Sequence, residues 1–193
     1  MVWLDGLDIP LVSGLDAGFF EFGPDEVSDR STPSSSRSER LWAHPGLRPV
    51  AAPMVKTSPL MAYRWEHTDA ALAAQLELEA EGCEGVVAPG HAAVRFTNPT
   101  NGADALVTIR LEMHRLAAGA SSVLPRRVGS SVWQVFAGDG VVELDGRAHE
   151  IAKGDVFVVP SWCVMTLASS SGLDAFTFSD APVYEALDLA DPH

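Results

Sequence analysis

The sequence predicts an all-β protein: one jelly-roll barrel (a double-stranded β-helix), preceded by an N-terminal β arm and a linker that contains a single helix. Three observations predict it. From Thr97 onward the chain breaks into short apolar runs at even spacing, with turn residues between them. Asp145-Gly146 separates two of these runs, 141–144 and 149–151, and an Asp-Gly pair between strands is a strong hairpin signal. Only residues 68–81 carry a helical stripe. The 193 residues, 47% of them hydrophobic, suffice for one good core plus an arm but not for two full barrels.

Residues 1–22 read as the β arm. Val2-Trp3-Leu4 is followed by an Asp5-Gly6 turn and by Leu7-Asp8-Ile9-Pro10-Leu11-Val12. Such a strand, with no partner before it in the chain, leaves ladder hydrogen bonds unmade. The segment therefore has the character of the closing end of an upstream β-domain, and is assigned as the remnant of one. Residues 23–98 form the linker. Within it, Ser31-Thr32-Pro33-Ser34-Ser35-Ser36-Arg37-Ser38 is poor in apolar side chains and reads as a mobile loop. Pro45, Pro49, Pro53 and Pro59 favour an extended path from 44 to 59. In the helix, Thr68 is the expected N-cap, Asp69 suits the positive helix start, Leu72, Leu76 and Ala80 share a face, and Gly82 ends it.

Residues 99–193 are assigned to the barrel. The stretch 105–116 alternates, with Val107, Ile109, Leu111 and Met113 on one side. A run at 132–136 precedes an expected turn at Gly138-Asp139-Gly140. The hairpin about Asp145-Gly146 follows, then a run at 155–159 before Pro160 and a last strand at 174–178. No internal repeat is visible.

Net charge is −13, which opposes binding to nucleic acid phosphates and to anionic membranes. Cys83 and Cys163 are far apart and form no CxxC, so they read as reduced thiols of a cytoplasmic protein. The N-terminus has no positively charged leader, and no apolar stretch approaches the ~20 residues of a membrane span.

The glycine and turn spacing from 119 to 169 matches a cupin barrel. Gly119 and Gly138 fall on the two glycine positions of the first cupin motif. Its His-x-His positions are then Pro125 and Arg127, and its Glu position is Ser131. In the second motif Gly154 precedes Pro160, and the His position falls on Met165. A ferrous site needs several imidazoles, or imidazoles with a carboxylate, converging on one point. Proline offers no donor, arginine is permanently cationic, and a lone thioether suits iron(II) poorly. No metal ligand and no cofactor are therefore expected in this chain. Of the histidines, His44 and His67 lie in the linker, His91 beside Pro89-Gly90, His149 on a hairpin arm, and His193 at the end. His114 is the best remaining candidate. Glu112 stands two residues away on the same strand face, and the two read as an exposed or hydrogen-bonded pair. No GxSxG, P-loop or GxGxxG is present. Trp133, Phe157 and Trp162 are expected to line or cap the barrel.

Several segments together resemble the gentisate 1,2-dioxygenases and their salicylate and 1-hydroxy-2-naphthoate relatives. They are Trp3-Leu4-Asp5-Gly6-Leu7-Asp8-Ile9-Pro10-Leu11-Val12, Leu15-Asp16-Ala17-Gly18-Phe19-Phe20-Glu21, Tyr63-Arg64-Trp65, Thr97-Asn98-Pro99-Thr100, Asp155-Val156-Phe157-Val158-Val159-Pro160-Ser161-Trp162 and Phe178-Ser179-Asp180. The likeness covers nearly the whole chain except the serine-rich loop. It implies a bicupin, oligomerisation, and Fe(II)- and O₂-dependent cleavage of an aromatic acid between its carboxyl- and hydroxyl-bearing carbons. It also implies that the iron histidines lie in an N-terminal cupin, upstream of the Trp-Leu-Asp segment. Asp5 matches an acid near the family's substrate pocket, with Trp3 as its neighbour.

Two functions are expected from this. The first is the metal-free C-terminal part of such a dioxygenase, without activity on its own, with an N-terminal cupin that could be encoded separately. The second is a non-catalytic cupin that assembles with copies of itself or binds a small aromatic acid, Arg126 or Arg127 pairing the carboxylate. Trp3, Asp5, Arg127 and Trp133 are the candidate pocket residues.

Overall fold

The structure is a computed structural model and describes residues 3–23 and 35–190. Eight strands carry the fold: β1 (His91–Arg95), β2 (Arg110–Leu116), β3 (Ser121–Leu124), β4 (Ser131–Leu144), β5 (Arg147–Ala152), β6 (Val156–Val159), β7 (Met165–Ala168) and β8 (Leu173–Ser179). All pairings are antiparallel, in the order β1-β2-β8-β4-β7-β3, with β5 and β6 also on β4. The result is a nearly closed barrel of the cupin type, as the turn spacing predicts.

β4 makes the closure. Its first half pairs with β6 and β8, from Ser131 opposite Ser179 to Gly138 opposite Leu173. Its second half pairs with β5 and β7, from Val141 opposite Ala168 to Leu144 opposite Met165. The register shifts between Val135 and Ala137, and this irregularity turns one strand from the first sheet into the second. The turn expected at Gly138-Asp139-Gly140 is therefore a bend inside a continuous strand. The Asp145-Gly146 hairpin forms as expected: both residues have positive φ, 45° and 83°, as a two-residue turn between twisted strands requires.

Three helices precede the sheet: α1 (Ile9–Gly14), α2 (Arg37–Trp42) and α3 (Trp65–Ala80). The barrel interior holds Leu116, Trp133, Val135, Val142, Leu167 and Leu173, all nearly or wholly buried. A second, smaller core lies outside the sheet. There Leu72 of α3 packs on Ala92 and Met113, flanked by Leu76, Val94, Phe96 and Phe176. α3 starts one turn earlier than expected. Thr68 sits within the helix and donates its hydroxyl to the Arg64 carbonyl at 3.3 Å, instead of capping the end. Asp69 is also drawn into tertiary structure. It accepts from Arg115 at 2.7 Å, and the Arg115 guanidinium also grips Asp174 at 2.7 and 2.8 Å, tying α3 to β2 and β8.

The serine-rich segment differs from the expected loop. Residues 31–34 fall outside the described residues, as does His193. Ser36 caps the short α2 through a full capping box: the Glu39 amide donates to Ser36 Oγ at 3.1 Å, and the Ser36 amide to Glu39 Oε2 at 2.8 Å. Nor is the N-terminal arm a strand. Residues 3–8 form no ladder, and α1 has Pro10 in its first turn, where a missing N–H is harmless. The arm touches the barrel through Thr108, whose hydroxyl donates to Asp8 at 2.6 Å. β1 precedes residue 99, so the sheet begins earlier than the boundary drawn from the sequence. A fourth helix, α4 (Ala181–Ala186), follows β8. Among the described residues no helix is long and apolar enough to cross a membrane, and Cys83 and Cys163 are both free.

Candidate functional site

Period-two alternation decides what faces the barrel interior. On β2, Met113 packs outward against α3, which turns Glu112, His114 and Leu116 inward. On β1, Ala92 and Val94 pack outward, so His91, Ala93 and Arg95 face in. The register sets Arg95 opposite Glu112 and Ala93 opposite His114. The side of β2 that looks polar in the sequence is thus the side that faces the cavity, and the apolar side of 109–113 is covered by a helix.

These residues form a chain of polar contacts. Ser122 of β3 and His91 Nδ1 are hydrogen-bonded at 2.7 Å. His91 Nε2 and His114 Nδ1 share a second hydrogen bond of 2.9 Å. Among the described residues His114 Nε2 is buried without a hydrogen-bond partner, and Glu112 Oε2 lies 3.8 Å from it. Arg95 donates to the other Glu112 oxygen at 3.2 Å. Because β1 and β3 are the two ends of the strand order, the His91–Ser122 bond also staples the barrel seam.

Burial, reinforced by the neighbouring His114, lowers His91 to about 4. Burial alone would raise the Glu112 carboxyl, but the facing His114 imidazole and the Arg95 guanidinium outweigh it and hold the group at about 2. At neutral pH the chain of contacts therefore has a neutral His91 and an ionised Glu112 on opposite sides of His114.

A cavity of about 180 Å³ opens next to this chain of contacts. His114, Glu112 and Arg95 line it, and so do all four residues that stand where a cupin would carry metal ligands: Pro125, Arg127, Ser131 and Met165. The four positions picked out by spacing therefore lie around one cavity. The donor set does not fit iron(II). None of the four supplies a ligand that ferrous iron favours, and His91 and His114 spend facing nitrogens on each other. Among the described residues, no group of three or more His, Cys, Asp or Glu side chains is placed to hold a metal ion.

The aromatic wall is Trp133. It is buried, donates its indole N–H to Ser131 Oγ at 2.9 Å, lies parallel to Phe157 at 6.1 Å, and meets the His114 ring at 4.6 Å. Trp162 is half-exposed, with φ of 66°, and does not line the cavity. The four candidate pocket residues divide into two places. Arg127 and Trp133 share the cavity. Trp3 and Asp5 lie in the exposed arm, joined by an indole-to-carboxylate hydrogen bond of 3.2 Å, and neither lines the cavity. His114 and Glu112, expected as an exposed or hydrogen-bonded pair, are instead turned into the barrel: His114 is buried and stands 3.8 Å from Glu112, beyond a direct hydrogen bond. The link from His91 to His114 and Ser122 was not visible in the sequence, because it spans three strands.

No family model matches the chain. Individual relatives do. A gentisate 1,2-dioxygenase from Streptomyces sp. is 66% identical over 190 residues, covering 98% of this chain and 53% of that protein. A 5-aminosalicylate 1,2-dioxygenase from Comamonas sp. is 34% identical, covering 98% of this chain and 49% of the relative. Among solved structures, a salicylate 1,2-dioxygenase from Pseudoaminobacter salicylatoxidans, in adducts with gentisate, matches with a TM-score of 0.92 at 52% identity, over 95% of this chain and 50% of that one. The chain spans about half the length of the curated relatives it matches.

Proposed function

Because the chain belongs to the gentisate 1,2-dioxygenase family, we propose that it is the metal-free C-terminal part of a ring-cleaving dioxygenase acting on hydroxylated aromatic acids. The iron(II) that such cleavage with O₂ requires would be held by the histidines of another cupin. That cupin is either fused to this segment or encoded separately. One observation carries the reading. Nearly the whole of this chain aligns with about half of its relative, yet the ligand positions of its own barrel are Pro125, Arg127, Ser131 and Met165. The exposed Trp3–Asp5 pair is the element this chain would contribute to the neighbouring cupin's substrate pocket. Two unpaired cysteines are consistent with a cytoplasmic setting.

The test has two arms. The purified chain alone should contain far less than one iron per polypeptide by elemental analysis, and should release no ring-cleavage product from gentisate or salicylate. Co-expression with the remaining half of the Streptomyces relative should give a complex that binds iron and cleaves gentisate. Stoichiometric iron in the chain alone would overturn the reading. So would coding DNA upstream that bears no His-x-His cupin, taken together with failure of the co-expressed half to give an active complex.

Assembly is the second part of the proposal. The arm exposes Trp3, Leu7, Ile9 and Leu15, and Phe19, Phe20 and Phe22 are each more than four-fifths exposed. An apolar segment of this size is normally covered. We assign its cover, in the chain on its own, to a second copy. Light scattering should therefore find a dimer or larger, and exchanging the three phenylalanines for serine should shift it toward monomer. A monodisperse wild-type monomer would refute the assignment.

A further inference from the structure

The geometry points to a binding site in this barrel for a single-ring hydroxybenzoate. The ligand's hydroxyl would sit between His114 and Glu112, and its carboxylate would meet Arg127. This inference does not depend on where iron is held or on whether the chain takes part in ring cleavage.

His114 and Glu112 give the cavity wall a donor–acceptor pair that does not close on itself. His114 is almost wholly buried, and among the described residues its Nε2 has no hydrogen-bond partner, Glu112 Oε2 standing 3.8 Å away. That separation is too long for a direct hydrogen bond, and an oxygen atom standing to the cavity side of the line between them can lie within hydrogen-bond distance of both. The hydrogen-bond chain behind His114 sets which role each end plays. If Ser122 donates to His91 Nδ1 and His91 Nε2 donates to His114 Nδ1, the His114 proton sits on Nε2. In the opposite register a lone pair at Nε2 would face an ionised carboxylate. The first register wins on charge. A donor and an acceptor then face one point, and a hydroxyl satisfies both at once: it accepts from His114 Nε2–H and donates to Glu112.

Part of the cavity lining is apolar. Trp133 presents its ring, with Leu124, Val159 and Met165 around it. Arg127 lines the cavity, is exposed, and forms no close salt bridge among the described residues, its charge being felt only at longer range by Glu185. Arg95, by contrast, is engaged by Glu112 and Asp104. Asp180 also lines the cavity, with Oδ1 accepting from the Ser130 amide at 2.8 Å. An anionic group of the ligand is thus repelled from Glu112 and Asp180 and drawn to Arg127. Size sets the ring count. The volume of about 180 Å³ compares with the about 150 Å³ of an apolar cavity known to take benzene. One ring fits and two fused rings do not.

Calorimetry on the intact, iron-free chain tests this with the three monohydroxybenzoates, benzoate, phenol and 1-hydroxy-2-naphthoate. At least one monohydroxybenzoate should bind one to one. Benzoate and phenol should bind about tenfold more weakly or worse, and the naphthoate should give no heat. Arg127→Gln, at an exposed position that leaves the core intact, should weaken binding about tenfold or more. Glu112→Gln should narrow the preference of hydroxybenzoate over benzoate. No heat from any of the three hydroxybenzoates would overturn the inference. It would also fall if the best of them bound no better than benzoate, which would leave a bridging water as the occupant, or if Arg127→Gln changed nothing. Each of these failures leaves the dioxygenase reading untouched, because that reading stands or falls by iron and ring cleavage.

Discussion

Gly138→Ala is expected to lower the stability of the chain by about 4 kcal/mol, a large part of the roughly 5–15 kcal/mol that holds an ordinary domain folded. Two costs add at this position. Gly138 has φ of 80°, in the left-handed region that an alanine occupies only under strain. A methyl group there would also overlap the Gly172 carbonyl oxygen and stand 3.1 Å from Leu173 Cα. Those neighbours are backbone and cannot rotate away. The place matters as much as the contact: Gly138 lies at the bend of β4, opposite Leu173, where one strand passes between the two halves of the barrel. Gly146→Ala is the matched control. Its φ is 83°, but nothing lies within 4 Å of an added Cβ. It should cost about 1 kcal/mol, the backbone strain alone. Urea denaturation of the two variants separates the two costs. Equal losses would mean that the close approach at the bend contributes nothing.

The contrast between those two glycines also shows what a sequence can and cannot reveal. Asp145-Gly146 is a local signal, and the hairpin it predicts forms. Gly138-Asp139-Gly140 looks the same locally, but β6, β7 and β8 pair on the two sides of it and keep it a bend within one continuous strand. The alternation of β2 was legible, yet its inward face was not. An apolar face under a helix and an apolar face inside a barrel give the same pattern, and only the contact of Leu72 with Met113 decides between them. Ile9-Pro10-Leu11-Val12 is too short for periodicity to separate strand from helix. Ser36-x-x-Glu39, on the other hand, carries a readable capping box within an apparently structureless serine run. At the site, spacing alone placed Pro125, Arg127, Ser131 and Met165 together around one cavity. His91 and Ser122, 31 residues apart, meet only because the ends of the strand order come together at the barrel seam.

That meeting gives the chain an acid sensitivity with a defined origin. His91 is completely buried, and burial, with the adjacent His114, lowers it from 6.5 to about 4. A folded-state value below the unfolded one means that the unfolded chain binds more protons between those two pH values. The stabilisation is fully present above pH 6.5 and is lost as pH falls through 4. Its ceiling is about 3 kcal/mol, because each pH unit between the unfolded and folded values is worth ~1.4 kcal/mol. Glu112 adds a later stage of the same sign. Its carboxyl is held at about 2 instead of 4.5, so its contribution is present above pH 4.5 and disappears as pH falls through 2. Urea midpoints measured from pH 7 to pH 3 should therefore show a loss that begins near 6.5, before ordinary carboxylates titrate. His91→Gln keeps a polar side chain next to Ser122 and His114 but cannot take up a proton. It should flatten the curve between pH 6.5 and 4 and leave the steeper fall below 4 in place. If the variant and the wild-type chain lose stability in parallel across that interval, the neutral imidazole at the seam is not what sets the acid limit.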